Sequence, residues 1–186
     1  KRIAKTKKPM IISLGMTRFE EIKELISFLK KLKVKELILL KCTSTYPTNP
    51  IETNLKTISK IKEKFDCLVG LSDHTLGVGV PIASIPYEVS MIEKHFTDDN
   101  LREGPDHKFS MNPISWKEMI DRARELEMCL GSEIKEVMSN EKETVILQRR
   151  AVRACTNIKR GDKITSDSTI CLRPCPEDGV PPYRLC

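Results

Sequence analysis

Cys67-Leu-Val-Gly-Leu-Ser-Asp-His-Thr75 and Met91-Ile-Glu-Lys-His-Phe96 are the stretches that decide the fold. Each is an apolar run ending in a histidine, as a buried strand does where it meets a loop. Strands this apolar are covered on both faces, as in a parallel sheet flanked by helices. Two imidazoles delivered from neighbouring strand ends form a candidate ligand pair for a borderline divalent ion. The chain has only 3 His, and the third, His107, follows in the next loop. Spacing alone fits equally well two His that cap strands through ordinary hydrogen bonds, because two imidazoles without a third ligand do not define a metal site.

The same texture repeats on either side. Pro9-Met-Ile-Ile-Ser-Leu-Gly15 and Glu36-Leu-Ile-Leu-Leu-Lys-Cys42 read as two earlier strands, so that 67–71 is the third and 89–94 the fourth. Thr17-x-x-Glu20 predicts a capping box, and Ile22, Leu25, Ile26, Leu29 and Leu32 follow at helical spacing. Leu55, Ile58, Ile61 and Phe65 mark a second helix. Residues 77–85 hold a helical turn or two, limited by Pro81 and Pro86. Ser115-x-x-Glu118 predicts the box of a further helix, with Met119, Ile120, Ala123, Leu126 and Leu130 on one face and Gly131 as its stop. Strand and helix thus alternate, the α/β pattern of a parallel sheet or barrel. Ser13, Thr43, Ser44, Tyr46, Ser72, His74 and His95 fall just after strand C-termini, where such sheets and barrels place their sites. Converging hydroxyls can hold a phosphate. Taken singly, each is more often a loop residue satisfying nearby backbone.

At 186 residues, 39% apolar and 31% charged, the chain is one domain or one with a small appendage. It has no apolar run of about 18 residues and no apolar signal segment, although it begins at Lys1, so that a leader can precede it. The net charge is +6, and five of the first eight residues are basic. Elsewhere the basic residues are interspersed with Glu and not interleaved with aromatics. That fits a solvated helix end better than a nucleic-acid patch, and an excess of positive charge suits an anionic small substrate. The seven Cys (Cys42, Cys67, Cys129, Cys155, Cys171, Cys175 and Cys186) are odd in number, scattered and without a Cys-x-x-Cys. They read as reduced thiols of a cytoplasmic protein. Residues 132–147 are charged and weakly patterned, a linker of 16 residues that could extend over roughly 50 Å. Short alternating runs and the turn at Lys159-Arg-Gly-Asp162 then predict a small β-rich domain over 148–186.

Lys41-Cys-Thr-Ser-Thr-Tyr-Pro47, Gly70-Leu-Ser-Asp-His-Thr75, Ile92-Glu-Lys-His-Phe96 and Gly104-Pro-Asp-His-Lys-Phe-Ser110, in this order, resemble the sialic acid synthase family, which makes N-acetylneuraminate, legionaminate and pseudaminate. The resemblance implies that residues 1–131 are the second half of a (β/α)8 TIM barrel, four βα units. It also implies that 148–186, with Asn157-Ile-Lys-Arg-Gly-Asp162 and Leu172-Arg-Pro174, begin an antifreeze-protein-like (SAF) domain. The implied reaction condenses phosphoenolpyruvate with an N-acylated amino sugar such as N-acetylmannosamine, giving a nine-carbon 2-keto sugar acid and phosphate. By the same resemblance His74 and His95 hold a divalent ion, Mn2+ or Mg2+, and with Asp106 carry the catalysis. Ser13, Thr43, Ser44, Tyr46 and Ser72 surround phosphoenolpyruvate, and Asp106 contacts the sugar. Arg173 reaches the acyl group of a sugar held in the partner subunit of a homodimer. No nucleic acid or membrane is implied. The family's first four units, with a phosphate-binding Lys, have no counterpart here. The chain alone is therefore expected to be inactive, as a part of a synthase or as a remnant that only binds or assembles.

Overall fold

Four short strands carry the larger unit, residues 1–131, of a computed structural model that describes residues 1–185. β1 (Met10–Ser13), β2 (Leu37–Cys42), β3 (Leu68–Asp73) and β4 (Ile92–Lys94) stand side by side in sequence order, every pair parallel. Parallel neighbours need long crossovers. α1 (Phe19–Lys31), α2 (Thr57–Phe65) and the short α3 (Gly79–Ser84) supply them, and α4 (Pro113–Leu130) follows β4. The sheet curls into half of a TIM barrel, as the resemblance implied.

Strand alternation sorts the side chains onto two faces. Leu39 and Val69, paired in register, point to the helices and join Leu14, Ile22, Ile26, Ile58 and Ile61 in the core. Each such aliphatic contributes about 1.5–3 kcal/mol when fully buried. The opposite, inner face carries Ser13, Leu40 and Gly70 in one row and Cys42, Ser72 and Glu93 in the next. Gly70 is required here, because a Cβ would lie 2.6 Å from Leu40 Cδ2 and 2.7 Å from the Met91 carbonyl oxygen. Lower on this face Ile11 and Leu68 stand half exposed.

The helix starts differ from the sequence expectation. Thr17 donates its hydroxyl to the Leu14 carbonyl, and α1 begins one residue later, where the Arg18 N–H is held by Glu21 and not by Glu20. α4 is capped by Asn112, whose Oδ1 accepts from the Ile114 and Ser115 N–H groups, while the Asn112 N–H donates to Ser115 Oγ. Ser115 is thus the third residue of the helix, and Pro113 fills the first position, where no N–H is needed. On α4 only Met119 of the expected face is fully buried, and Ile120 and Leu130 are exposed.

Residues 132–186 form the second unit. β5 (Ala151–Ala154) and β6 (Thr169–Leu172) pair antiparallel. The expected linker is not extended throughout: α5 (Lys142–Gln148) occupies its end, and the Ile146 carbonyl accepts from the Cys175 N–H of the same unit. The short run Val145-Ile-Leu147 is too brief to announce a helix by periodicity. All six described cysteines are free thiols, and Cys186 lies outside the described residues. No described helix is long and apolar enough to cross a membrane.

Candidate active site

β3 and β4 end level with one another, Asp73 beside Lys94. The next residue of each chain is a histidine, so His74 and His95 leave their strands at the same height. Their ring centroids are 5.2 Å apart and the rings are nearly perpendicular, at 88°. His74 Nδ1 lies 2.9 Å from the Thr43 carbonyl oxygen. A ring nitrogen facing a carbonyl carries a proton, so in a neutral His74 ring the lone pair lies on Nε2. The backbone carbonyl of His74 accepts from the Thr48 N–H, so the residue is fixed at ring and backbone.

Aromatic rings close around the pair. The Tyr46 centroid is 4.3 Å from that of His74 and 5.5 Å from that of His95. Phe109, which the sequence did not single out, lies 5.2 Å from His95. Asp106 presents Oδ2 3.5 Å from His95 Nδ1, an ion-pair distance that is realised when the ring is protonated. Of the residues picked from sequence, Tyr46, His74, His95 and Asp106 therefore meet. Ser72 lies on the inner face just below them and donates to Glu93 Oε1 at 2.7 Å. Glu93 was overlooked, although strand alternation places it on the face of His95, two residues away.

The remaining hydroxyls divide. Ser13 is exposed at the end of β1 on the inner face, and Ser44 lies 3.7 Å from Cys42 Sγ, packed so close to Gly15 that a Cβ there would sit 2.0 Å from its Oγ. The Thr43 hydroxyl accepts from Lys41 Nζ at 2.7 Å and donates to the Glu52 carbonyl, and the Thr43 backbone carbonyl faces the His74 ring. Arg173 follows β6 in the second unit and is exposed.

No group of three or more His, Cys, Asp or Glu among the described residues is arranged as a metal cage. The His74 and His95 rings, with centroids 5.2 Å apart, are the two imidazoles of this cluster.

A parallel half-barrel with its polar and aromatic cluster at the strand C-termini defines the α/β-barrel class, whose sites lie at that end. Residues 1–135 match the family model described as NeuB, and the chain belongs to the NeuB family. It is 41% identical over 173 residues to the uncharacterized protein MJ1065 of Methanocaldococcus jannaschii, covering 93% of this chain and 51% of that one. It is 35% identical over 176 residues to the N,N'-diacetyllegionaminic acid synthase of Campylobacter jejuni, covering 94% and 53%. The crystal structure of the N-acetylneuraminic acid (sialic acid) synthetase of Leptospira borgpetersenii, in complex with citrate, superposes with a TM-score of 0.69 at 31% identity, over 77% of this chain and 50% of that one. The chain spans about half the length of the curated relatives it matches.

Proposed function

We propose that these four βα units contribute the ion-holding side of a sialic (nonulosonic) acid synthase barrel. The barrel would join C3 of phosphoenolpyruvate to the aldehyde carbon of an N-acylated amino sugar such as N-acetylmannosamine. Water adds at C2 and phosphate leaves from the same carbon. The observation that carries this reading is the meeting of His74 and His95 at 5.2 Å under Tyr46. Because the relatives are about twice as long, the reaction is proposed for a barrel completed by further units.

In this reading His74 and His95 hold Mn2+ or Mg2+, and a donor pair of two imidazoles favours Mn2+, since Mg2+ takes oxygen ligands. When bound, the ion supplies Lewis acidity to the aldehyde oxygen, which a weak carbon nucleophile needs. Thr43 orients the His74 ring through its carbonyl. Tyr46 and Phe109 pack their rings against the pair and limit the directions from which a substrate can approach it. Asp106, within ion-pair distance of His95, is placed to accept from a sugar hydroxyl. Ser72, Ser44 and Ser13 line the inner face where the phosphoenolpyruvate carboxylate and phosphate would lie. Arg173 would reach a sugar in the partner barrel of a homodimer.

Two measurements test this. Mn2+ titration of the chain, followed by electron paramagnetic resonance, should give a Kd weakened at least tenfold by His74→Ala or His95→Ala; affinities that both variants leave untouched would remove the metal assignment. In a barrel completed by the first four units of a relative, phosphate release should require both phosphoenolpyruvate and the amino sugar, and His74→Ala should abolish it. A second reading, a module that binds or assembles without turnover, draws on the half-exposed Ile11 and Leu68 of the inner face. Bound Mn2+ with no phosphate release from the completed barrel would favour it.

A further inference from the structure

Directly behind the histidine pair, on the helix side of the sheet, lies a buried polar cluster with no assigned purpose. Lys94 Nζ donates to Asp73 Oδ2 at 2.6 Å and to the Thr75 carbonyl at 2.7 Å. Asp73 Oδ1 accepts from the Thr75 N–H at 3.1 Å, and Oδ2 accepts from the Thr75 hydroxyl at 2.9 Å. The side chains of Asp73 and Lys94 are both 2% exposed. Removing two charges from water costs several kcal/mol each, and a buried pair regains that only with good geometry and full hydrogen bonding. A strand end rich in Val, Leu and Ile could have been closed by aliphatic residues at no such cost.

We infer that Asp73, Thr75 and Lys94 are positioning residues that set the geometry of the His74–His95 pair. The three bracket His74: Asp73 precedes it, Thr75 follows it, and the Asp73 carboxylate closes the turn between them onto the Thr75 N–H. Lys94 grips both ends of that turn and is itself the residue before His95. The link therefore runs from one histidine backbone to the other through a single ammonium group. With the turn fixed, His74 keeps its ring against the Thr43 carbonyl and its own carbonyl on the Thr48 N–H. Strand register alone, which ends at Asp73 and Lys94, would align the two strands but leave the turn at His74 free to open.

The inference concerns the histidine geometry and draws its use from the ion-binding reading proposed above, so the test separates the two. Long-range 1H–15N spectra of the metal-free chain should find His74 as the single Nδ1–H tautomer. Lys94→Met strands a buried carboxylate and can unfold the protein, so the deciding variant is Asp73→Asn with Lys94→Met, which removes both charges. This double variant should recover most of the melting temperature lost by either single change, yet show His74 as a mixture of tautomers and bind Mn2+ about 10–100-fold more weakly, the usual effect of losing an outer partner of a metal ligand. Thr75→Val, with both charges kept, should move the spectrum in the same direction by less. A folded double variant with the wild-type His74 spectrum would overturn the inference, whatever its stability. A wild-type chain that shows the expected tautomer and its response to the double variant, but no Mn2+ binding, would leave the positioning role standing and remove the metal.

Discussion

Lys41 occupies a strand position that an aliphatic residue would fill more cheaply. It points to the helix side of β2, is buried, and has Thr43 Oγ1 at 2.7 Å. Burial holds its ammonium group below the ordinary lysine range, with the neighbouring Cys42 and Asp73 pulling the other way. The sign follows from linkage. The unfolded chain keeps its proton up to about pH 10.5, whereas the folded chain releases it earlier. Between those two points the unfolded state binds more protons, so stability rises with pH; below them the full penalty is present. Lys41→Met should therefore raise the urea midpoint at pH 7 and flatten its rise toward pH 10. A lower midpoint at pH 7 would mean that the bond to Thr43 outweighs the cost of burial. The Asp73–Lys94 pair is the opposite case, because every polar atom in it is matched. Lys94→Ala, which leaves Asp73 charged and alone, should cost about 3–5 kcal/mol by denaturant unfolding.

At the scale of elements, the start of α4 rests on one side chain. Asn112→Ala removes the acceptor for two otherwise unpaired N–H groups and should cost about 1 kcal/mol, a fall in Tm of about 2–4 °C for a chain of this size. Gly70→Ala tests the sheet: the new methyl group meets the Met91 backbone, which cannot swing aside as a side chain can, so a loss of about 1–3 kcal/mol is expected. The elements themselves were legible because burial leaves a period. Ile22, Ile26 and Leu29, and Ile58 and Ile61, are the buried positions of α1 and α2 and recur as helical spacing demands. The caps were not, since any Ser, Thr or Asn near a helix start can serve and only the local backbone decides which one faces the free N–H groups. Within the site, His74 and His95 were legible because each interrupts an apolar run. The Asp73–Lys94 link was not, because it joins residues 21 apart in sequence and exists only through the register of β3 with β4. Phe109 was missed for the same reason: nothing local distinguishes it from a core aromatic.

At the scale of the whole molecule, connectivity limits what the second unit can do. The sequence allowed an extended linker over 132–147, but α5 and the turn at Ser139–Glu141 take up its second part. The stretch without helix shortens to 132–138, a reach of roughly 25 Å at about 3.4 Å per residue. Arg173 is nevertheless well suited to bind a sugar acyl group: it is exposed, always charged, and its planar fork can donate two bonds to an amide carbonyl. If it serves a composite site across a dimer, as proposed, then in a barrel completed by further units Arg173→Ala should raise the KM for the amino sugar about tenfold or more, the loss of about 1.5–3 kcal/mol expected for a charge-assisted hydrogen bond. The KM for phosphoenolpyruvate should stay nearly unchanged. Mixing Arg173→Ala subunits with His74→Ala subunits supplies the decisive case, because a heterodimer then retains one site with both residues intact. Activity should return to a fraction of that of the unaltered dimer, although each parent is impaired. If subunit exchange is demonstrated by mass and the mixture is no more active than its parents, Arg173 does not act across the dimer.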